Sequence, residues 1–319
     1  MGERCEGAEL KNVLPWIIIL CLEALIILFG NIITIIVFLK GRFHLRKTSV
    51  VLINLSVADF LVGLSALGDI ASDICSLSSS SCKTHITLIE KYFPLGEYSS
   101  TASISFLVLI SLERLYAIVW PFRSRVTSTR TYICVVLGVW LLSGIAPALV
   151  LLSSQNKIRA VPVEVYLWIG SLYMCVCLIA IVVAYSIIWF FSTKRDPRLS
   201  ESSQIRNKHL SKTIFIVTSL SLITWLPFAI VFNSSFIISG KSTILHRSIR
   251  CLQLANSFIN PIVYWFRMPI FGATLKATLL TIRTRLSFRK RKTCTQADAV
   301  VLASFSNIDV CPNKITPLD

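Results

Sequence analysis

Three stretches of this chain, Thr131 to Asn156, Val165 to Thr193 and Thr213 to Gly240, contain no Asp, Glu, Lys or Arg. Each exceeds the ~20 residues that an α-helix needs to cross the apolar core of a bilayer. Inside a bilayer every backbone N–H and C=O must find its partner within the protein, which leaves helices and closed barrels as the spanning structures. Uncharged runs this long exceed a barrel strand and restrict the fold to membrane helices. Four further stretches are apolar with isolated charges: Val13 to Leu39, Ser49 to Cys75, Ile86 to Val119 and Ile244 to Phe266. The predicted fold is an all-α membrane protein, a seven-transmembrane helix bundle. Composition agrees: 54% of the residues are hydrophobic and 15% charged, whereas soluble domains carry about a quarter charged residues.

The first stretch starts at Val13 and is followed by no small-residue cleavage site, so it reads as a retained helix. Placing the N-terminus outside puts most of the 32 Lys and Arg on the cytoplasmic side, as the positive-inside rule requires. The expectation is a multi-pass plasma-membrane protein with its N-terminus extracellular and its C-terminus cytoplasmic. The net charge of +16 is then topological, and its partner is anionic membrane lipid. Nucleic acid is not expected as a partner, because the basic residues are spread over short loops. The domain plan is a tail over 1–12, a bundle over 13–282 that ends in a short amphipathic eighth helix from Phe271 to Ile282, and a polar tail over 283–319 expected to lack fixed structure.

Polar residues at membrane depth are the candidates for function. Asp59 lies deep in the second span, in Asn54-Leu55-Ser56-Val57-Ala58-Asp59. A charge there costs at least ~2.5 kcal/mol against lipid, so it faces the bundle interior. It is either a functional carboxylate or a protonated one bonded to Asn31 or Asn260. The third span ends in Glu113-Arg114-Leu115, an ionic pair that can exchange partners as a switch. Pro227, in Trp225-Leu226-Pro227, and Pro261, in Asn260-Pro261-Ile262-Val263-Tyr264, each kink a helix.

The ordered set Gly30-Asn31, Asn54 to Asp59, Glu113-Arg114-Leu115, Trp140, Tyr185, Trp225-Leu226-Pro227 and Asn260 to Tyr264 resembles the rhodopsin-like, or class A, G-protein-coupled receptor family. The resemblance covers roughly Val13 to Ile282. It implies a receptor that binds an extracellular ligand and activates a heterotrimeric G protein, with arrestin as a further partner, and no enzymatic chemistry of its own. Residue by residue it implies that Glu113 holds Arg114 at rest, and that Tyr185 and Tyr264 reach toward Arg114 on activation. It implies that Asp59, Ser103, Asn256, Ser257 and Asn260 form an interior site for an allosteric sodium ion, a donor set of hard oxygens that suits such a cation. Apart from Na+, no metal or cofactor is expected. Trp225, Pro227 and Pro261 correspond to the activation switch.

The chain departs from the family pattern in several places. Leu115 replaces the usual Tyr of the arginine motif, Thr224 the usual Cys before the tryptophan, Cys177 the proline of the fifth span and Ser221 the sixth-span phenylalanine. The connection Ser153 to Glu164 contains no cysteine, so the usual disulfide to the third helix cannot form. Cys75 with Cys82, and Cys5 with Cys251, are the pairs that remain open.

The ligand end is expected to hold Asp69, Asp73, Glu97, Ser100, Trp225 and Arg250. Asp69 and Asp73 lie one turn apart on one face, and with Glu90 and Glu97 they make an acidic vestibule opposed by Arg250 and His246. That pattern suits a cationic small molecule or a basic peptide. The position used by amine receptors for an aspartate is Gly96 here, and no lysine lies between Cys251 and Phe266 to hold retinal. The missing cysteines, short second loop and absent fifth-span proline loosely resemble melanocortin receptors. The alternative class is a transporter or channel, which would show broken helices at matching positions in two halves. Here Pro227 and Pro261 fall in neighbouring spans. A membrane enzyme would need clustered His or carboxylates at membrane depth, and His44, His85, His209 and His246 all lie at span ends or in loops.

Overall fold

The computed structural model describes residues 2–40, 47–78, 94–154, 163–192, 212, 215–216, 219–227, 229–230, 243–267, 271–281 and 284. Every regular element among them is a helix: α1 Gly2–Lys40, α2 Lys47–Ser78, α3 Leu95–Val119, α4 Pro121–Val126, α5 Thr129–Ser154, α6 Val163–Ser192 and α7 Thr243–Arg267. Helical residues also occur at 219–227 and 271–281. The backbone packing divides the chain into Met1–Gly272, which holds α1 to α7, and Ala273–Asp319, which carries helical residues to position 281. Helix α1 starts at Gly2 and runs without interruption through Pro15.

Five of these helices are long and apolar enough to cross a membrane, over Val13–Lys40, Lys47–Cys75, Leu95–Val119, Thr129–Leu149 and Ile169–Phe191. Only 17% of the most apolar window of the first is buried within the protein. Leu22, Phe29, Leu141, Leu172 and Trp189 stand on the outer surface. Apolar side chains that cover a helix on both its inner and outer sides match a lipid surround. This is a multi-pass membrane protein.

Helix α7 has the length to span, but its composition is more polar. Arg247, Arg250, Gln253, Asn256, Ser257, Asn260 and Tyr264 recur every three or four residues along it. That spacing gathers them on one side, and from Gln253 onward these residues are buried. The expected sixth span, Thr213 to Gly240, lies only in part among the described residues.

Small residues let the helices approach closely. A Cβ on Gly63 of α2 would lie 3.0 Å from both Ile27 Cγ2 and Leu28 Cγ, and one on Gly30 would lie 3.2 Å from Pro261 Cγ. The kink proline of α7 is thus seated against α1. Ile17, Leu20, Ala24 and Ile27 of α1 pack with Val62, Ala66 and Ile70 of α2 and Leu254 of α7 in one apolar cluster. Lys47 closes the opposite end of α2: its Nζ donates to the carbonyls of Ser124 at 3.1 Å and Arg125 at 2.9 Å. Those carbonyls lie in the last turn of α4, where helical partners run out and a cation opposes the helix dipole.

Candidate functional site

The centre of the bundle is polar and buried. Asp59 of α2 is fully buried, and three side chains from two other helices donate to it. Ser103 Oγ of α3 lies 2.7 Å from Oδ1, Ser257 Oγ of α7 2.9 Å from Oδ1, and Asn260 Nδ2 2.7 Å from Oδ2. Asn31 of α1 joins them indirectly, with its Nδ2 donating to the Ile27 carbonyl at 2.9 Å and the Ser257 carbonyl at 3.1 Å. A carboxylate with three donors can remain charged away from water, because charge-assisted bonds replace its hydration. Of the two partners expected for Asp59, Asn260 bonds it directly and Asn31 bonds the backbone of its neighbour Ser257. Asn256 is buried beside them. Neither of its amide atoms, nor Oδ1 of Asn31 or Asn260, has a hydrogen-bond partner among the described residues. Buried amides are normally satisfied, so this cluster has acceptor capacity in excess of its donors.

One end of the bundle carries a second polar group. Arg114 Nε and Nη2 both lie 2.6 Å from Glu113 Oε2. Thr48 of α2 completes the arrangement: its Oγ1 accepts from Arg114 Nη2 and donates to Glu113 Oε1 at 3.1 Å. All three lie where α2 begins and α3 ends, and Glu113 and Arg114 are buried. The structure therefore brings Glu113 to Arg114 as expected and adds Thr48. The ring of Tyr264 packs against Phe38 and Phe271, with centroids 6.0 and 6.3 Å away, and Tyr185 packs against Phe215 at 5.5 Å.

Trp225 is buried in an apolar cluster with Ile104 of α3, Cys177 and Leu178 of α6, and Ala229. Cys177, Ser221 and Thr224, three of the departures from the family pattern, are all buried. Thr224 Oγ1 donates to the Ser221 carbonyl at 2.9 Å, and Pro227 follows within the same helical run, 219–227. Beside this cluster a hydroxyl network joins three helices: Ser105 of α3 and Tyr173 of α6 are 2.7 Å apart, and Ser143 of α5 donates to Ser105 at 3.3 Å. Trp140 Nε1 donates to Asn54 Oδ1 at 2.9 Å, which ties α5 to α2.

At the other end, two of the acids expected to form the vestibule, Asp69 and Asp73, are paired with arginines of α7. Arg250 Nη2 and Nε lie 2.6 and 3.2 Å from Asp69 Oδ2, and Arg247 Nη2 lies 3.7 Å from Asp73 Oδ1. Basic residues of α7 thus face acidic residues of α2; the opposition of Arg250 was expected from the sequence, and that of Arg247 to Asp73 was not. Arg250 Nη1 also donates to Gln253 Oε1 at 2.9 Å. Ser100 is buried and Glu97 is exposed. Glu90 lies outside the described residues. Cys251 is a free thiol, as are Cys21, Cys134, Cys175 and Cys177, so the Cys5–Cys251 pairing does not form. Cys75 is disulfide-bonded, and its expected partner Cys82 lies outside the described residues.

Thr48, Gln253 and the Ser105–Tyr173–Ser143 network were not singled out from the sequence. Thr48 stands in the basic turn before the second span, where a threonine is an ordinary residue. Its role depends on α2 and α3 meeting there.

The description "7 transmembrane receptor (rhodopsin family)" matches residues 30–264 of the chain. Similar proteins include the G-protein coupled receptor homolog Q2/3L of sheeppox virus, strain KS-1, 26% identical over 75% of this chain and 66% of that protein. The human lutropin-choriogonadotropic hormone receptor is 24% identical over 90% of this chain and 42% of its own length. The mouse growth hormone secretagogue receptor type 1 is 23% identical over 84% of this chain and 80% of its own. The chain therefore spans less than two thirds of the first two of these relatives. With the buried Asp59 cluster and the Glu113–Arg114 pair both inside the matched region, the chain belongs to the rhodopsin family of seven-transmembrane receptors.

Proposed function

We propose that this protein binds a ligand at its Asp69 end, exposed outside the cell, and in response activates a heterotrimeric G protein at its Arg114 end. The observation that carries this reading is the buried Glu113–Arg114–Thr48 group. A guanidinium held by an adjacent carboxylate is a two-state element: it keeps its partners or exchanges them, and a ligand that favours one arrangement shifts the population. The plasma membrane is the location that fits, with the N-terminus outside, the basic connections facing anionic inner-leaflet lipid, and arrestin a further partner at the Arg114 end. Trp225, Pro227 and Pro261 provide the moving parts between the two ends, and Tyr185 and Tyr264 are the groups that meet Arg114 once Glu113 releases it.

Arg114→Ala, expressed at a normal surface level, is expected to abolish basal and agonist-driven G-protein activation, read by subunit dissociation. Retained coupling would remove Arg114 from the coupling role. The interior cluster is read as the sodium site: Asp59, Ser103 Oγ, Ser257 Oγ and the unpartnered Asn256 Oδ1 are hard oxygens drawn from three helices. Bound Na+ would supply positive charge to a buried carboxylate and link α2, α3 and α7. Asp59→Asn is expected to eliminate the effect of exchanging NaCl for N-methylglucamine chloride on basal activity and thermal stability. An undiminished sodium effect in that variant would sink the site.

A further inference from the structure

The Asp69 end contains a guanidinium whose hydrogen bonds do not add up to its capacity. Arginine has five N–H donors in a planar fork. Asp69 receives one from Nε and one from Nη2, and Gln253 receives one from Nη1. That accounts for three of five and leaves two, one on each terminal nitrogen, with no acceptor among the described residues. The group is held rigidly from α2 and from its own helix, so its fork has a fixed direction. Its side chain is 23% exposed, enough for a small group to reach it. On α3 the facing position is Gly96, where a Cβ would lie 3.8 Å from Arg250 Nη2 and 3.4 Å from Ser65 Oγ. The absence of a side chain there keeps open the space beside the guanidinium.

We infer that Arg250 is the specificity-determining residue of the ligand end, and that it selects a ligand presenting an oxyanion, a carboxylate or phosphate, bound by the two remaining N–H groups beside Gly96. The inference rests on the receptor reading and names the ligand chemistry of the same site. Two N–H groups on the terminal nitrogens match the spacing of two oxygens on one carboxylate or phosphate, which is the bidentate geometry that distinguishes arginine from lysine. Asp69 sets the orientation of the fork and Gln253 fixes its rotation. Arg247, one turn earlier on α7, adds a second positive charge that is loosely held by Asp73 at 3.7 Å. The opposing group is Glu97, adjacent to Gly96 and exposed, whose carboxylate also interacts electrostatically with Arg250. It is the residue through which a cation would be preferred instead, and the test sets it against Arg250.

The test uses the full-length protein in lipid nanodiscs with Gly96→Cys, a change the local space accommodates. Modification of that cysteine is followed by mass spectrometry with two thiol reagents of equal reactivity and opposite charge, sulfonatoethyl and trimethylammonioethyl methanethiosulfonate. Their rate ratio is normalised to the detergent-denatured protein. We expect the sulfonate reagent to be favoured by about threefold or more, since a fixed charge concentrates counter-ions in a cleft. Arg250→Gln should lose that preference. Arg250→Lys should keep it while losing the slowing of modification by inorganic phosphate, because a point charge remains but the fork does not. A preference for the trimethylammonium reagent that Glu97→Gln reverses would overturn the inference, as would a sulfonate preference unaffected by Arg250→Gln. Basal G-protein activation is measured on the same preparations. Its absence would count against the receptor reading alone, since the charge preference is read without it.

Discussion

Asn260→Leu is expected to destabilise the detergent-solubilised protein by about 1.5–3 kcal/mol, the cost typical of losing a hydrogen bond to a charged group and leaving its buried partner short of a donor. Asn260 Nδ2 is the donor to Asp59 Oδ2, whereas Ser103 and Ser257 both serve Oδ1. Removing Asn260 strips one oxygen of a fully buried carboxylate of its partner, and water cannot enter without opening the α2–α7 contact. Leucine keeps the branching of asparagine without its polar atoms and leaves no cavity, so the loss reports the missing hydrogen bond together with the strain of the larger side chain. The double variant Asp59→Asn with Asn260→Leu should recover much of the loss, because a neutral amide costs less to bury unsatisfied than a carboxylate. Thermal unfolding followed by a thiol-reactive dye would report on both. Equal melting temperatures for the native protein and Asn260→Leu would mean that Asp59 is not held as a charged group by this donor.

Glu113→Ala acts at the other polar group, and its main expected effect is on signalling. Arg114 loses the acceptor that both Nε and Nη2 use at 2.6 Å, and Thr48 alone remains. A hydroxyl holds a guanidinium less firmly than a carboxylate does, so the balance moves toward conformations in which Arg114 finds other partners. A bias of ~1.4 kcal/mol changes an equilibrium tenfold, and a several-fold rise in basal G-protein activation at matched surface expression is the expected result. Glu113→Gln, which keeps the acceptor oxygen and removes the charge, should fall between the two. If Glu113→Ala leaves basal activity unchanged while agonist response persists, the pair does not act as a latch, and the carboxylate serves only to make burial of Arg114 tolerable.

Much of this protein was legible in its sequence because a bilayer imposes so few options. Three uncharged stretches too long for strands required membrane helices, and Asp59, Pro227 and Pro261 stood out because charged or helix-breaking residues are costly at that depth, whereas Trp225 was marked by the family resemblance. Asn260 was one of two partners expected for Asp59 from the residues themselves, and Ser103 was grouped with Asp59 by the family resemblance; the helices bring both to the carboxylate. What the tertiary structure decided was pairing between residues far apart in the chain. Thr48 is an unremarkable threonine until α2 and α3 bring it to Glu113 and Arg114. Arg250 was expected to oppose the acids of the vestibule, but that Asp69 takes its Nε and Nη2 while Arg247 stands at Asp73 depends on how α7 is set against α2. Hydrophobicity and periodicity are properties of a single helix and can be read along it. Charge neutralisation between helices depends on register and rotation, which are set only when the side chains of both are packed.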